Sequence, residues 1–428
     1  MDRRYTSGGK HRLLPVLAAG ALLLAGSAAW AREDDGDNGP IKLLTTIPVP
    51  PVTTNLTGGL YAFDISFIDP HTQVYYLADR SNAVIDVVDA RTNAFVKQIK
   101  GGFTDQGGFK GFTGSNDTSG PNGVVAAGRF LFVTDAPSRV VTIDLTTDKV
   151  VSAVSTGGGK DLRADELAYD PEDGLLLVAN NADNPPFATL IKVNKVTGAL
   201  TPPGPGARVT FTDATNGAEQ PIWDPRTHRF YISIPEVGGP GGTGPNGAVD
   251  RITVNGMIDK VFPVRLCQPA GLTHGPGDDV LIGCSVVFDT KGNAWSKTDA
   301  NSAAPQQVIL NVNSGAVESV EGVGGSDEVW FNRGDNRYYT ASRNDPIGPV
   351  LGVIDAEDET LVQIVPTFNV AALPGLTGHP AGTAHSVAAD PDNNHVFVPL
   401  PANNAFPDCL TGCVAVFGAP EGKERAER

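Results

Sequence analysis

One hairpin pattern recurs seven times along the chain, and this repetition constrains the fold more than any other feature. Each copy joins an apolar strand, a polar turn and a second apolar or aromatic strand, as in ADELAYDPEDGLLLVANN, which begins at Ala164. The other copies are FDISFIDPHTQVYYLAD, PNGVVAAGRFLFVTD, EQPIWDPRTHRFYISI, PAGLTHGPGDDVLIGCS, SDEVWFNRGDNRYYTAS and AHSVAADPDNNHVFVPL. Such regular repetition predicts that one structural unit is repeated seven times.

Each hairpin is followed by further strand-like segments. A third apolar strand comes after every copy, such as AVIDVVD after the first and VLGVID after the sixth. Six of these third strands lead through a short turn into a fourth strand, such as FVKQIK. Four antiparallel strands per repeat are typical of a propeller blade. The sequence therefore predicts an all-β fold, a seven-bladed β-propeller of four-stranded antiparallel blades.

The two ends of the repeat region complement each other. The seventh unit lacks a fourth strand, because CVAVFGAP runs directly into the charged segment EGKERAER. The segment IKLLTTIPVP, residues 41–50, resembles a fourth strand without a preceding three. Pairing it with the seventh unit would close the ring and leave no sheet edge exposed. We therefore assign residues 41–418 to one propeller closed by its N-terminal strand, and 419–428 to a charged tail.

The first residues have the pattern of a signal peptide. Basic residues precede an apolar run over 13–25, and Ala29-Trp30-Ala31 is a small-x-small cleavage site. We interpret 1–31 as a signal peptide and 32–40 as an acidic linker. The apolar run is too short to span a bilayer comfortably, so the pattern favours a periplasmic or secreted protein over an anchored one, with no membrane span after cleavage.

The net charge argues against two classes of partner. Cleavage after residue 31 would remove four basic residues and one acidic residue, which lowers the formal net charge from −16 to −19. A chain this acidic has no electrostatic attraction for nucleic acid or anionic lipid. Small molecules, proteins and cations are the partners that this charge permits, and we expect a monomer.

The four cysteines predict two disulfides. Cys267 and Cys284 flank a turn at 275–277, so antiparallel pairing places them opposite each other. Cys409 and Cys413 are four residues apart and could close a small turn. Neither spacing is that of a zinc site, and disulfides fit the oxidising compartment that a signal peptide implies.

Two segments carry a family resemblance. YYLADRSNAVIDVVDARTNAFVKQIKGG resembles a YVTN-type propeller repeat, and PNGVVAAGRFLFVTDA is similar to NHL, streptogramin-lyase and gluconolactonase-like repeats, which favour P-x-G before the inner strand. The resemblance covers about residues 41–418. It implies the propeller fold and leaves several functions open, because such propellers include binding proteins, lactonases and lyases.

Alignment of the seven hairpins predicts a ring of polar side chains. In a propeller the first strand of each blade lines the central channel, so its first residue lies at one mouth of that channel. The aligned residues are Asp64, Asn122, Asp165, Glu219, Ala270, Asp327 and His385. Glu166 and Glu328 follow two of these residues, and we expect them to point between blades or around the rim.

The residue types in this ring predict a cation site. Four carboxylates in one mouth repel one another, and a cation would relieve that repulsion. The predicted metal ligands are Asp64, Asp165, Glu219, Asp327 and His385. This oxygen-rich set suits Ca²⁺, Mg²⁺ or Mn²⁺, or Zn²⁺ if the imidazole takes part. The alternative is a solvated polar mouth without a cofactor, because polar residues are expected at this position of any propeller.

Two functions follow from the ring. In the first, the protein is an exported binding or scaffold propeller that holds a small-molecule, protein or cation ligand at the mouth, with ligand contacts from Asn122, Glu166, Glu328 and His379. In the second it is a metal-dependent lactonase, another hydrolase or a lyase, with His385 or Glu219 as the catalytic base for a metal-bound water. In gluconolactonase-like lactonases Glu, Asn and Asp hold a divalent metal in this channel, so the resemblance also implies the second function. No G-x-S-x-G, HExxH or P-loop motif is present in the sequence.

Overall fold

Seven four-stranded antiparallel sheets make up the computed structural model, which describes residues 39–55, 58–102, 107–296, 303–367 and 385–420. The first strand of each sheet contacts the first strand of the next, and the contact between the seventh and the first completes the circle. The predicted seven-bladed propeller is therefore confirmed. The predicted signal peptide, most of the linker and residues 421–428 lie outside the described residues, and so does His379.

The strands are numbered in chain order. The N-terminal strand and blades 1 to 3 are β1 (Lys42–Pro48), β2 (Ser66–Asp69), β3 (Val74–Asp79), β4 (Val84–Asp89), β5 (Ala94–Ile99), β6 (Val124–Ala127), β7 (Phe130–Asp135), β8 (Arg139–Asp144), β9 (Lys149–Ser155), β10 (Leu167–Asp170), β11 (Leu175–Asn180), β12 (Phe187–Lys192) and β13 (Arg208–Thr210). A short 3-10 helix, Asn116–Thr118, precedes β6.

Blades 4 to 6 follow the same order. They consist of β14 (Pro221–Asp224), β15 (Arg229–Ile234), β16 (Asn246–Ile252), β17 (Ile258–Arg265), β18 (Cys267–His274), β19 (Asp279–Val287), β20 (Gln306–Asn311), β21 (Val317–Glu321), β22 (Val329–Asn332), β23 (Arg337–Ser342), β24 (Val350–Asp355) and β25 (Thr360–Pro366). The strands of blade 7 are β26 (Ala388–Ala389), β27 (Val396–Leu400), β28 (Cys413–Gly418) and β1.

Blade 7 is completed by the N-terminal strand, as the sequence predicts. β1 pairs antiparallel with β28, from Lys42 opposite Gly418 to Pro48 opposite Cys413. The two ends of the propeller are thereby held together by a backbone ladder, and a fourth strand covers the sheet edge of the seventh blade.

The apolar core lies between neighbouring blades. One core cluster combines Leu177 of blade 3 with Trp223 and Phe230 of blade 4. The second and third strands of each blade are covered on both faces, which explains their nearly continuous apolar sequences. The outermost strands, such as β5, alternate between exposed and half-buried residues because only one face meets a neighbouring blade.

The aspartates of the hairpin turns have a local structural role. In four blades the carboxylate accepts a hydrogen bond of 2.8–3.0 Å from the backbone N–H two residues later, an arrangement that stabilises the turn. These turn residues are Asp69, Asp170, Asp224 and Asp390. They lie at the opposite end of the inner strands from the predicted ring, and we assign them no part in a site.

Glycine in the P-x-G pattern is required by the close approach of the next blade. A Cβ atom on Gly123 would lie 2.8 Å from the carbonyl oxygen of Asp165 and 2.9 Å from the Cα of Glu166. On Gly271 it would lie 2.5 Å from the carbonyl oxygen of Asp327. Backbone atoms cannot move aside as a flexible side chain does, so only glycine fits at these positions.

Both predicted disulfides are present. Cys267 is bonded to Cys284, and Cys409 is bonded to Cys413. The first bridge joins the two inner strands of blade 5, and the second closes the loop before β28. Among the described residues, no helix has the length and apolar character needed to cross a membrane.

The contacts of Gly123 predict a measurable stability loss. We expect Gly123→Ala to lower the free energy of unfolding by about 1–3 kcal/mol, because the added methyl group overpacks the contact between blades 2 and 3. Gly204→Ala is the control, since a Cβ there meets nothing within 4 Å. Urea unfolding of the two variants measures the difference, and equal stability would contradict this account of the P-x-G pattern.

Candidate functional site

The predicted ring positions are structurally equivalent. In five blades the residue at this position donates its backbone N–H to a carbonyl of the second strand, at 2.8–3.1 Å. These residues are Asp64, Asn122, Asp165, Glu219 and Asp327. The shared hydrogen bond shows that the alignment of these five hairpins is correct.

Side chains from blades 1, 6 and 7 meet at the channel axis. His385 Nε2 lies 2.8 Å from Asp64 Oδ1, and His385 Nδ1 lies 2.7 Å from Asp327 Oδ2. Asp64 and Asp327 are 263 positions apart in the sequence, yet one imidazole contacts both. We call the charged groups at this end of the channel the mouth cluster, and they are Asp64, Arg80, Arg163, Asp165, Glu219, Asp327, Arg343 and His385. The contacts of His385 bring the ring positions of blades 1, 6 and 7 together.

The mouth cluster also contains Arg80, which sequence reasoning missed. Its guanidinium forms an ion pair with Asp64, and its Nε donates to Asn122 Oδ1 at 2.9 Å. Only 1% of Arg80 is exposed, so the ion pair is shielded from water. The amide of Asn122 in turn donates to Ala164 O at 2.7 Å and is fully buried. Asn122 thus positions Arg80 and the next blade, and its predicted ligand contact stays a prediction.

Two further arginines pair with the ring carboxylates. Arg163 Nη2 lies 2.7 Å from Asp165 Oδ2, and its Nη1 lies 3.4 Å from Asp64 Oδ2. Arg343 Nη2 lies 2.9 Å from Asp327 Oδ2. The carboxylates that were predicted to repel one another are therefore interleaved with cationic side chains, which removes much of the electrostatic reason for a bound metal.

A second set of equivalent positions explains two of these arginines. Arg80 directly follows β3 and Arg343 directly follows β23, the second strands of blades 1 and 6. The antiparallel hairpin brings the end of the second strand back beside the start of the first, at the mouth. An alignment on the second strand as well as the first would have placed both arginines there.

The surrounding charges set the protonation of the mouth cluster. Burial opposes ionisation of Asp64, but Arg80, His385 and Arg163 hold its pKa far below the ordinary value. Burial also lowers the pKa of His385, but Asp327 and Asp64 outweigh it and raise that pKa to about 9. His385 is therefore an imidazolium at neutral pH, a form that neither accepts a proton as a base nor coordinates a metal.

Two carboxyl groups of the ring are hard to ionise. Burial, only partly offset by Arg163, raises the pKa of Asp165 to about 8. Burial and the nearby charge of Asp327 raise the pKa of Glu219 to about 7. Within the described part of the chain, no three His, Cys, Asp or Glu side chains form a group that could hold a metal ion. The divalent cation and the catalytic roles of His385 and Glu219 stay predictions.

Glu166 and Glu328 are both buried, so neither lies at the rim, and the channel position of Glu166 corrects the expectation that it points between blades or around the rim. They are 6% and 3% exposed, and Glu166 lines the central channel below the mouth cluster. A side-chain hydrogen bond links the two carboxyl groups, which requires a proton on one of them. Burial and the neighbouring acids raise the pKa of both well above the ordinary value. Their role in ligand binding stays a prediction.

A cavity of about 460 Å³ occupies the channel on the other side of this pair. At one end its lining includes Glu166 and Gln220, each one residue beyond a ring position. At the other end it includes His71 and Gly128 in the hairpin turns, at the face opposite the mouth. Sequence reasoning missed this cavity because it examined only the first residue of each inner strand.

Comparison with known proteins supports the fold alone. The chain is similar to a solved structure of Kuenenia stuttgartiensis hydrazine synthase, with 14% identity and a TM-score of 0.58 over 82% of this chain and 94% of that one. It is also similar to the Cps50 (Swd1) β-propeller domain of Myceliophteria thermophila, with 10% identity and a TM-score of 0.54 over 86% and 100% of the two chains. At sequence identities this low, the function of the similar proteins is not transferred to this chain.

No protein-family model and no curated protein matches the chain. The seven-bladed propeller that the sequence resemblance implies is confirmed by the structure and by these solved structures. The assignment of the repeats to the YVTN or NHL type stays a prediction.

Removal of Arg80 should destabilise the propeller. We expect Arg80→Met to lower the free energy of unfolding by about 3–5 kcal/mol, because the carboxylate of Asp64 would lose its buried counter-charge. Arg91→Met is the control, since Arg91 pairs with Asp89 at the surface, where the two side chains are 58% and 26% exposed. For this control we expect the free energy of unfolding to fall by less than about 1 kcal/mol. Chemical denaturation measures both, and similar losses would show that the mouth cluster has no special stabilising role.

The arginine pairing also predicts the metal content of the mouth. Protein purified without chelator should contain far less than one equivalent of Ca²⁺, Mg²⁺, Mn²⁺ or Zn²⁺ per chain, measured by elemental mass spectrometry. One tightly bound ion that Asp327→Asn releases, but that the exposed-turn variant Asp358→Asn retains, would contradict this expectation. That result would support the metal-dependent hydrolase instead.

Proposed function

We propose that this protein is an exported binding propeller that holds one compact, largely apolar small molecule in its central channel. The cavity of about 460 Å³ on the channel axis is the observation that carries this proposal. Its size lies within the range of small-molecule sites, which are mostly apolar and contain few polar groups. The propeller fold supports a binding role in general, and the cavity supports the channel as the proposed site of binding.

The wall of the cavity is built by the same strand position in successive blades. The second residue of the inner strand contributes to the lining in five blades, and these residues are Phe67, Val125, Ala168, Ile222 and Trp330. The rings of Phe67 and Trp330 meet edge to face with centroids 5.8 Å apart. Aromatic and aliphatic surface of this kind gains free energy when a ligand displaces water from it.

The mouth cluster favours the channel as the binding site over the mouth itself. Asp64, Asp165 and Asp327 are already engaged by arginine or imidazole groups of the same chain. A ligand at the mouth would have to compete with these ion pairs, whereas a ligand in the cavity would not. The ligand or cation site that the sequence predicts at the mouth is therefore the weaker candidate.

One structural feature and one sequence pattern are compatible with export. All four cysteines form disulfides, which persist in oxidising compartments. The signal-peptide pattern of residues 1–31 would direct the chain to the export machinery. Together they support a periplasmic or secreted location, where a small-molecule ligand would be captured outside the cytosol.

Isothermal titration with 1-naphthalenemethanol, a neutral aromatic probe, tests the channel. We expect one probe per chain with a Kd on the order of 0.1 mM, a reasonable value for a ligand of this size. Val125→Trp should weaken binding at least tenfold because the indole fills the cavity. Val151→Trp, the same change on the exposed strand β9, should leave the affinity as it is in the unaltered protein.

Circular dichroism and thermal melting establish that both variants are folded before the affinities are compared. If the unaltered protein does not bind the probe, or if Val125→Trp binds it as well as Val151→Trp does, the channel is not the ligand site and the proposal is wrong.

A further inference from the structure

The inner end of the cavity contains a buried carboxyl group that is only partly satisfied. Glu166 is 6% exposed and lines the cavity, and apart from the hydrogen bond that its carboxyl group shares with Glu328, its Oε2 has no partner within the described structure. A buried acceptor left unpaired costs about 1–3 kcal/mol, so native proteins rarely retain one without a reason. A ligand that donates a hydrogen bond at this point would satisfy it.

The charges around Glu166 show which kind of donor fits. We call the pair of Glu166 and Glu328 the channel floor. Together with the acidic residues of the mouth cluster, the carboxyl groups here are those of Asp64, Asp165, Glu166, Glu219, Asp327 and Glu328. The basic residues are Arg80, Arg163, Arg343 and His385. Every basic group in this set pairs with a carboxylate of the mouth cluster, and the described ion pairs involve neither Glu166 nor Glu328. A cationic ligand group beside this carboxyl pair would supply the counter-charge that the chain does not provide there, whereas an anionic group would not.

The wall beside this acid suits the rest of such a ligand. The aromatic residues Phe67 and Trp330 line the same cavity, and their rings contact each other. An ammonium group is attracted to the faces of aromatic rings as well as to a carboxylate, and an apolar ring system packs well against them. The cavity thus combines an acidic floor with an aromatic wall.

From this arrangement we propose that the channel binds a compact aromatic amine, whose ammonium group donates a hydrogen bond to Glu166 Oε2 while its ring packs against Phe67 and Trp330. This inference rests on the proposed function, because it names the chemical class of the molecule in the same cavity. A charge-assisted hydrogen bond in a site shielded from water is stronger than one from a neutral hydroxyl.

Three probes of nearly the same shape test the inference by isothermal titration with the full-length mature protein. They are 1-naphthylmethylamine, 1-naphthalenemethanol and 1-naphthoic acid, which differ in the charge and donor character of one group. We expect the amine to bind at least tenfold more tightly than the alcohol, and the acid to bind most weakly. In Glu166→Gln the amine and the alcohol should have similar affinities.

Glu321→Gln, the same substitution at an exposed residue of the outer strand β21, is the control and should keep the preference for the amine. The order of the three probes in the unaltered protein tests the inference even if Glu166→Gln does not fold. A crystal structure with the amine would show its nitrogen within hydrogen-bond distance of Glu166 Oε2.

The outcomes separate this inference from the proposed function. If the alcohol binds and the amine has no advantage, the channel is a binding site but the assigned ligand class is wrong. An advantage that persists in Glu166→Gln overturns the role of Glu166. If none of the three probes binds, the proposed function fails together with the inference.

Discussion

Neighbouring blades approach so closely at their inner strands that Gly123 and Gly271 leave no room for a methyl group beside the next backbone. The channel is narrow because of this contact, and the first residues of the inner strands meet across it. The pairing of β1 with β28 maintains the arrangement, since it joins the ends of the propeller by a backbone ladder. The mouth cluster, the floor of the channel and the cavity all depend on this closed ring.

Within the ring, charge is balanced by side chains that come from different blades. Asp64 contacts Arg80, Arg163 and His385, which belong to blade 1, the entry to blade 3 and blade 7. Burying four carboxylates near one axis is unfavourable unless counter-charges are buried with them. The arginines provide these counter-charges, and their ion pairs link different blades at the mouth. The largely apolar cavity in the rest of the channel is then the proposed space for a ligand, with Glu166 at its inner end.

Sequence reasoning succeeded where a short pattern repeats. The position of Asp165 relative to its turn is the same as that of Asp64 and Asp327, so alignment alone predicted that the three face one centre. The cysteines were paired correctly for a similar reason, because each pair flanks a turn. Sequence reasoning did not find Arg163, which lies in the loop before β10. It also predicted the wrong direction for the side chain of Glu166. Neither depends on a repeated local pattern.

By itself the sequence determined the seven four-stranded blades, the closure by an N-terminal strand, both disulfides and the residues of the ring. These follow from strand periodicity, turns and spacing, which are properties of short segments. Only the tertiary structure decided that arginines neutralise the ring, that Glu166 points into the channel and that a cavity lies behind it. Those features arise from contacts between residues up to 321 positions apart, such as His385 and Asp64. Their distances depend on how tightly the blades pack around the axis, and no local pattern encodes that packing.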